Sequence, residues 1–325
     1  MAEPARKKLP AIARVVPAFH NLPMTVRRLL AILAAALLSS TASAQEVTPR
    51  AYWPAPKGTQ VLSLGVAYTD GDIVPDPSLP IVGFDSDITS AVVGYLRTIE
   101  LFGRTANVIV EVPYANGTTG AENLDVGRIE RDYKGVGDIS TTLQINLMGA
   151  PSMDAAGFAA LRENPRPIVG ASIKVVAPTG KYNENRIINV GANRWAAKAE
   201  VGAMIPLTPK WLLELESGVW FFEDNDDFFR GFNRQQDPIY SVSAHLVRRF
   251  SPGFWVSLDA TGYRGGRTTL ENRRLDDLQR DSKVGLTGVF PFAKGKAVRV
   301  SYTMGSVNDS DERFSIYTLS YQHLF

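Results

Sequence analysis

The chain ends on the segment Phe314-Ser-Ile-Tyr-Thr-Leu-Ser-Tyr-Gln-His-Leu-Phe325, whose residue pattern is the first indication of the fold. Side chains alternate across a β-strand, so residues two positions apart share a face. One face carries apolar and aromatic residues, and the centre of the other face carries Thr318, Ser320 and Gln322. Such a strand is either the edge strand of a soluble sandwich or the last strand of a membrane barrel, which closes against the first strand.

The first 44 residues have the layout of a secretory signal peptide. A basic region at Met24–Arg28 precedes the apolar run Leu29–Leu38 and an Ala-x-Ala cleavage site at Ala42–Ala44. The apolar run is too short to span a bilayer permanently. We therefore expect residues 1–44 to be an N-terminal extension and a cleaved leader, with Gln45 as the first mature residue. The alternative is a buried N-terminal helix.

Removal of that leader changes the sign of the net charge. The whole chain has 35 basic and 33 acidic residues, whereas residues 45–325 have 29 basic and 32 acidic residues, a net charge of −3. This balance gives no support to nucleic-acid binding. The chain has no cysteine, which excludes disulfides and thiolate metal sites. A hydrophobic content of 45% fits a globular protein or a membrane barrel and excludes a disordered chain.

Apolar and polar residues alternate in segments of roughly ten residues along the mature chain, which is the pattern of a transmembrane β-barrel. No later segment offers about 18 consecutive apolar residues, so the sequence predicts no transmembrane helix. Eleven alternating segments precede the C-terminal strand. The clearest lie at 106–114, 139–147, 195–203, 211–221, 240–246, 254–261 and 298–304.

The connections between these segments alternate in length. Four are tight, at 101–104, 206–209, 251–253 and 292–296, and those between them are mostly longer and polar. Short turns on the periplasmic side and long loops outside are typical of outer-membrane barrels. The connection 149–167 is a long exception, and a small capped helix is predicted within it at Ser152–Leu161, on the periplasmic side.

Aromatic residues fall at both ends of the predicted strands, as expected for girdles at the two lipid–water interfaces. Those near the outer rim are Tyr68, Tyr114, Trp195, Phe221, Tyr240 and Tyr317, and those near the periplasmic rim are Trp211, Phe250, Phe254, Phe290 and Phe325. The sequence therefore predicts an all-β fold for residues 45–325, a transmembrane antiparallel up-and-down β-barrel of about 12 strands.

If the apolar faces contact lipid, the charged faces line the interior. The candidate pore-lining residues are Glu111, Asp138, Lys174, Arg194, Lys198, Glu200, Glu214, Glu216, His245, Asp259 and Arg299, with Lys283 in the same set of inward charges. These charges nearly balance, so they either form internal ion pairs that fill the interior or orient a solute in a pore. Eight-stranded barrels are filled and 16-stranded barrels leave a channel, so a barrel of about 12 strands is compatible with both.

The sequence offers little for catalysis or metal binding. His245 and His323 are the histidines of the mature chain, and neither belongs to a visible Ser/His/acid pattern. Acidic clusters at 223–227, 276–277 and 308–312 suit solvated loops better than a cation site. We expect no cofactor, no metal and no enzymatic activity, although a lipase or protease barrel stays open as an alternative.

Short motifs along the mature chain resemble a bacterial outer-membrane family named after the meta-cleavage pathway of phenol degradation. The resembling segments are Pro49–Tyr52, Asp76–Pro80, Val112–Tyr114, Gly135–Asp138, Ala177–Tyr182, Asn189–Trp195, Asp224–Asp227, Gln236–Tyr240 and Gly265–Thr269. The resemblance implies a barrel that passes small compounds, hydrophobic or aromatic ones among them, and it brings no catalytic motif. Asp138 and Arg194 begin predicted strands at one level, and we hypothesise that they anchor the long loops or a solute carboxylate.

The sequence thus predicts a bacterial outer-membrane channel for the passive passage of small, hydrophobic or aromatic solutes. The alternative is a non-conducting structural or binding barrel that presents its extracellular loops to a partner. The expected partners are outer-membrane lipid, a small-molecule solute and, through the strand ending in Phe325, the barrel-assembly machinery, with no nucleic acid. The solute, the gating and the oligomeric state do not follow from the sequence.

Overall fold

The computed structural model describes residues 48–72, 85–123, 127–305 and 313–325. Within these ranges the chain forms strands almost throughout, with one short helix, α1 (Ala155–Glu163). The strands are β1 (Gln60–Asp72), β2 (Asp85–Leu101), β3 (Arg104–Asn123), β4 (Gly127–Val136), β5 (Ile139–Met148), β6 (Ile168–Ala177), β7 (Ala196–Thr208), β8 (Trp211–Phe222), β9 (Asn225–Phe228), β10 (Phe232–Gln236), β11 (Ile239–Ser251), β12 (Phe254–Gly265), β13 (Thr268–Leu270), β14 (Arg273–Arg274), β15 (Gln279–Ala293), β16 (Lys296–Gly305) and β17 (Phe314–Leu324).

The main sheet is antiparallel and closes on itself. Its strand order is β2-β1-β17-β16-β15-β12-β11-β8-β7-β6-β5-β3-β4, and β2 also pairs with β3, which completes the circle. Strand β4 continues β5, because the inner half of the long strand β3 pairs with β5 and its outer half pairs with β4. The result is a closed barrel of twelve strands, so the predicted fold class and strand number are confirmed.

The barrel closes between its first and last strands. Strands β1 and β17 pair without interruption from Val61↔Leu324 to Gly71↔Phe314. On the outward face of this junction, Leu64 lies opposite Tyr321 and Tyr68 lies opposite Tyr317. Cross-strand pairs of aromatic and aliphatic side chains stabilise antiparallel strands, so the amphipathic C-terminal segment closes the barrel as its pattern predicts.

Residues alternate between the two faces of the barrel wall in the predicted phase. Val201 and Leu258 point outward, and each is 57% exposed. Their strand neighbours Gly202 and Asp259 point inward and are buried. An exposed apolar band with a polar interior is the arrangement that lipid requires, because hydrocarbon offers no hydrogen-bonding partners. None of the described helices is long and apolar enough to cross a membrane.

Exposed aromatic rings lie at both ends of the wall, where the sequence predicts them. At the short-turn end, the ring centroids of Phe250 and Phe254 are 4.7 Å apart, and those of Phe254 and Phe290 are 5.3 Å apart. At the long-loop end, Tyr302 and Tyr317 lie 5.0 Å apart on neighbouring strands. Amphipathic rings at both rims fit the two interfaces of a bilayer.

Helix α1 lies at the short-turn end. The Ser152 N–H donates to the carbonyl of Gly103 in the β2–β3 turn at 2.9 Å, which ties the start of the connection to that end. The helix begins later than predicted because Asp154, not Ser152, caps it: Asp154 Oδ1 accepts the Gly157 N–H at 2.8 Å. The helix itself and its location at the short-turn end are otherwise confirmed.

The long-loop end carries structure that the alternation did not predict. Strands β3 and β4 continue past the barrel as a hairpin, and β14, β13, β10 and β9 form a separate small sheet in that order. The predicted leader at 1–44, the motif Asp76–Pro80 and the acidic segment 308–312 lie outside the described residues. Cleavage after Ala44 therefore stays a prediction.

Candidate functional site: the barrel interior

Residues 48–56, which precede β1, lie inside the barrel. Within this plug segment, defined here as residues 48–56, the ring of Tyr52 is buried against Gly170 and Gly202, which are paired on β6 and β7. A Cβ atom added to either glycine would lie 2.2 Å from the ring. The phenol of Tyr52 donates to Glu200 Oε1 at 3.1 Å and lies 3.3 Å from Ser172 Oγ. The barrel wall is therefore shaped to hold this ring.

The residues on either side of Tyr52 fix the plug segment to the rest of the interior. The Arg50 N–H donates to the carboxylate of Glu214 on β8. The Arg50 guanidinium lies 4.6 Å from the ring centre of Trp53 and 5.2 Å from that of Trp255 on β12. Trp53 in turn makes an edge contact with Phe158 of α1, at a centroid distance of 6.5 Å. Plug segment and helix thus form one packed unit.

An apolar cluster fills the short-turn end of the interior next to the plug segment and α1. It joins Leu161 of α1 to inward residues of six strands, and the buried members are Ala150, Leu161, Ile168, Met204, Leu212, Val247, Trp255 and Val289. A second cluster lies toward the long loops and contains Ala196, Trp220, Ile239 and Tyr263. Buried apolar side chains inside a barrel occupy space that water would otherwise fill. The β6–β12 side of the interior is therefore packed at both levels.

Between the two apolar clusters lies a polar network centred on His245. Its Nδ1 atom is 2.8 Å from Asp259 Oδ1, and its Nε2 atom is 3.7 Å from Glu216 Oε2. Asp259 also accepts the hydroxyl of Thr287 at 2.8 Å. Both ring nitrogens of His245 thus face carboxylates, and Ser243 is turned toward Thr261 at 3.0 Å. Among the described residues no serine hydroxyl bonds to this histidine, so a Ser–His nucleophile pair is not formed here.

Two further ion pairs lie on the inward face. Lys174 Nζ is 2.8 Å from Glu111 Oε2, and Lys198 pairs with Glu200 beside Tyr52. Nine of the eleven candidate pore-lining residues therefore lie on inward faces of the wall: Glu111, Lys174, Lys198, Glu200, Glu214, Glu216, His245, Asp259 and Arg299. Most of those whose contacts are given above bond to each other or to the plug segment. Their role along a solute path stays a prediction.

The other two candidates, Asp138 and Arg194, precede their strands and lie among the long loops. Asp138 Oδ1 accepts the N–H of Gly180 at 2.7 Å, and Oδ2 accepts the N–H of Ala192 at 2.7 Å. Arg194 is buried, donates to the side chain of Gln236, and stacks at 4.6 Å over Phe222. These contacts agree with the hypothesis that both residues anchor the long loops.

A hydrogen-bonded belt of loop residues extends from Asp138. Asn225 Nδ2 donates to the Ala192 carbonyl and to the Tyr182 hydroxyl, both at 3.1 Å, and Tyr182 donates to the Asp227 carbonyl at 3.0 Å. Burial raises the pKa of the Tyr182 phenol, which keeps it a donor. The belt joins the motifs 135–138, 177–182, 189–195 and 224–227, so residues far apart in sequence meet at one end of the barrel.

A cavity of about 300 Å³ lies against the opposite wall, formed by β16, β17, β1 and β2. Serine and threonine are the commonest residues in its lining, among them Ser63, Ser90, Ser301, Thr303, Thr318 and Ser320. Glu111, Lys283 and Arg299 bring charge to it, and Thr48 of the plug segment reaches its edge. The cavity and the packed β6–β12 side therefore lie against different parts of the wall.

Sequence reasoning missed the plug segment. Arg50, Tyr52 and Trp53 follow no alternating pattern, because the segment forms no regular strand. The available sequence clue was the motif Pro49–Tyr52. It is part of the family resemblance, but the resemblance does not indicate its place in the structure. The alternation places Lys283 among the inward charges, but its position at the edge of the cavity depends on how the barrel closes.

The fold and the interior define a class of protein. It is a twelve-stranded β-barrel of outer-membrane type whose interior is packed with the plug segment and α1. A comparison with protein families identifies the family: residues 67–322 match the model of the family described as "Putative MetA-pathway of phenol degradation". The chain belongs to this family, as the resemblance of its motifs predicts. No curated protein sequence matches the chain.

One solved structure supports the fold. An outer membrane channel from Pseudomonas putida F1 superposes with a TM-score of 0.71 at 21% sequence identity, covering 86% of this chain and 100% of that chain. The β domain of the Bordetella autotransporter BrkA gives a TM-score of 0.47 at 12% identity, covering 83% and 100%. The transport unit of the Escherichia coli autotransporter AIDA-I gives 0.46 at 8% identity, covering 90% and 97%. The first comparison supports the fold, and we draw nothing from the other two.

Proposed function

We propose that this protein is an outer-membrane channel for the passive passage of small solutes, hydrophobic or aromatic compounds among them. The observation that carries the proposal is the cavity of about 300 Å³ along the β16–β17–β1–β2 wall. This volume lies at the lower end of the range of small-molecule sites, about 300–1,000 Å³. The small Ser, Thr, Gly and Ala side chains of this wall leave the space open, whereas the opposite side is packed.

The outward face supports a location in the outer membrane. Its apolar band and two aromatic rims suit a bilayer, and the predicted leader suits export to the outer membrane. Membership of this family and the likeness to an outer membrane channel from Pseudomonas putida F1 agree with this proposal. On this orientation the short turns and α1 face the periplasm, and the loop belt faces outside.

One observation favours the second candidate, a binding barrel without a through-path. The plug segment, α1 and the belt of loops occupy much of both ends of the interior. A barrel whose ends are held in this way could keep a solute without passing it. The two candidates differ in a single measurable property, the flux of solute through the folded protein.

Liposome swelling tests the proposal. The mature protein, residues 45–325, is refolded into liposomes, and its folded state is verified by heat-modifiable gel mobility. Sugars, amino acids, aromatic alcohols and aromatic carboxylates of matched size are then compared. Swelling that depends on solute size and chemistry supports the channel. Folded protein that causes no swelling with any solute contradicts it and places the binding barrel first.

A further inference from the structure

Lys283 is a buried cation at the edge of the lumen cavity. It lies on the inward face of β15, its residue is 6% exposed, and its side chain borders the cavity. The lumen lysines Lys174 and Lys198 each pair with a glutamate. Within the described part of the chain, by contrast, the Lys283 ammonium forms neither an ion pair nor a hydrogen bond. Burial has removed most of its water without supplying a counter-charge in contact.

Two aromatic rings hold this ammonium in place. Lys283 Nζ lies 5.4 Å from the ring centre of Tyr263 on β12 and 5.1 Å from that of Phe314 on β17. Phe314 reaches Lys283 across β16 because Gly305 lies between them in the register, and a Cβ atom at Gly305 would lie 2.0 Å from Phe314 Cζ. Cation–π contacts fix the position of a cation, but they leave its hydrogen-bond donors free.

The other charges around the cavity leave it with a positive character. The carboxylate of Glu111 is bound to Lys174 at 2.8 Å, so it is balanced within the wall. Arg299 borders the same cavity from β16. Asp281 lies on the same face of β15 as Lys283 and acts on it through space, and it accepts the Ser282 N–H at 2.5 Å. The charged residues of the cavity lining are therefore two cations, Lys283 and Arg299, and one glutamate that pairs with Lys174.

The rest of the cavity lining suits a small molecule with an apolar body. Ile316, Val92 and Ala67 supply apolar surface, and Thr303 supplies a hydroxyl on the strand next to Lys283. An ammonium with unused donors beside apolar surface recognises an anion attached to a hydrophobic group. A neutral solute would leave the ammonium without a partner.

We propose that Lys283, seated between Tyr263 and Phe314, binds the carboxylate of small organic acids with an apolar body, such as aromatic carboxylates, in the lumen cavity. The inference rests on the proposed channel function and gives that channel its solute class. Lys283 lies near the long-loop end, and Arg299 lies six residues from Gly305, the register partner of Lys283, or about 20 Å along β16 at about 3.4 Å per residue. The two cations therefore stand at successive levels of one path for an anion.

The test uses the refolded mature protein in detergent micelles and the ¹⁹F NMR signals of two probes, 4-fluorobenzoate and the neutral 4-fluorobenzyl alcohol. We expect the protein to broaden the benzoate signal more strongly than the alcohol signal. Lys283→Met should weaken benzoate binding at least tenfold and leave the alcohol unchanged, whereas Lys283→Arg should keep the preference for benzoate. Lys210→Met, in an exposed turn, is the matched control that removes a lysine elsewhere.

Equal binding of benzoate by the wild-type protein and by Lys283→Met would overturn the inference, and so would equal broadening of the two probes by the wild type. If Lys283→Met fails the heat-modifiable mobility check, Lys283→Gln replaces it, with the same criterion. Liposome swelling with the same solutes separates this inference from the channel. Binding of benzoate without flux contradicts only the proposed function, whereas flux without a preference for benzoate contradicts only the role of Lys283.

Discussion

The ring of Tyr52 rests in a notch made by Gly202 and its register partner Gly170, because a Cβ atom at Gly202 would lie 2.2 Å from Tyr52 Cε2. Gly202→Ala should therefore push the plug segment out of its seat. We expect a loss of about 1–3 kcal/mol in the free energy of unfolding, the usual cost of overpacking, together with a larger single-channel conductance. Urea unfolding in detergent and planar-bilayer recordings measure the two effects.

Gly65→Ala is the control for that substitution. Gly65 also faces the lumen, but its added Cβ would meet its nearest neighbour, Ser320 Cβ, at an ordinary 3.7 Å. Its stability and conductance should stay close to those of the wild-type protein. If Gly202→Ala and Gly65→Ala conduct equally, the plug segment does not restrict the path.

Asp138→Ala should loosen the loop belt. The substitution leaves the N–H groups of Gly180 and Ala192 without their acceptor, which costs about 1–3 kcal/mol for a buried donor. We expect trypsin to cleave the connection between β6 and β7 faster, at Lys181 or Arg186. Asp132→Ala removes a carboxylate that accepts from Thr118 on the exposed β3–β4 hairpin, and it should leave that cleavage rate unchanged. The same rate in both variants would argue against an anchoring role for Asp138.

Glu111→Gln should make the cavity more selective for anions. The change removes the carboxylate that pairs with Lys174 and so raises the net positive charge around a cavity that Lys283 and Arg299 also line. The reversal potential in a KCl gradient should shift toward the chloride equilibrium potential. The double variant Glu111→Gln with Lys174→Met removes both charges and should restore the wild-type value. A shift that persists in the double variant would assign the effect to a change in shape and not in charge.

Asp259→Ala should destabilise the barrel strongly. It leaves His245 and Thr287 without their buried partner, and the loss of one member of a buried ion pair costs about 3–5 kcal/mol. The transition in heat-modifiable gel mobility should move to a lower temperature. Asp237→Ala breaks the exposed pair with Arg274 and should change stability by about 1 kcal/mol or less. Similar transitions for the two variants would contradict a structural role for the His245 network.

The sequence predicts the wall of this barrel well because each wall residue reports on one face of one strand. Alternation at residues such as Leu258 and Asp259 is enough to assign lipid and lumen, and the twelve-strand count follows from repeating that pattern. In β2, Ala91, Val93 and Tyr95 face outward, since their strand neighbours Ser90, Val92 and Gly94 face the lumen. Periodicity is a local property, and the wall consists of local repeats.

The contents of the barrel were not predictable in the same way. Tyr52 meets Gly170 and Gly202, and Asn225 meets Tyr182 and Ala192, across long stretches of sequence. No sequence period connects such contact partners. The position of a glycine in a strand does not show which aromatic ring packs against it. The motifs that meet in the belt were visible as separate short segments. Their meeting depends on loop paths that alternation does not describe.

The plug segment and the closing strand are joined by only a few residues. The Gly58 N–H donates to Thr98 at 2.9 Å, and Gln60 then bonds to Phe325, so the chain passes from the lumen to the β1–β17 junction within one short step. The barrel must therefore close around the plug segment. This arrangement limits where an affinity tag can be placed. A tag joined directly to the plug segment would compete for the space inside the barrel. A tag after Phe325 would extend the closing strand. The end of the β3–β4 hairpin, where Asn123 pairs with Gly127, offers a better place.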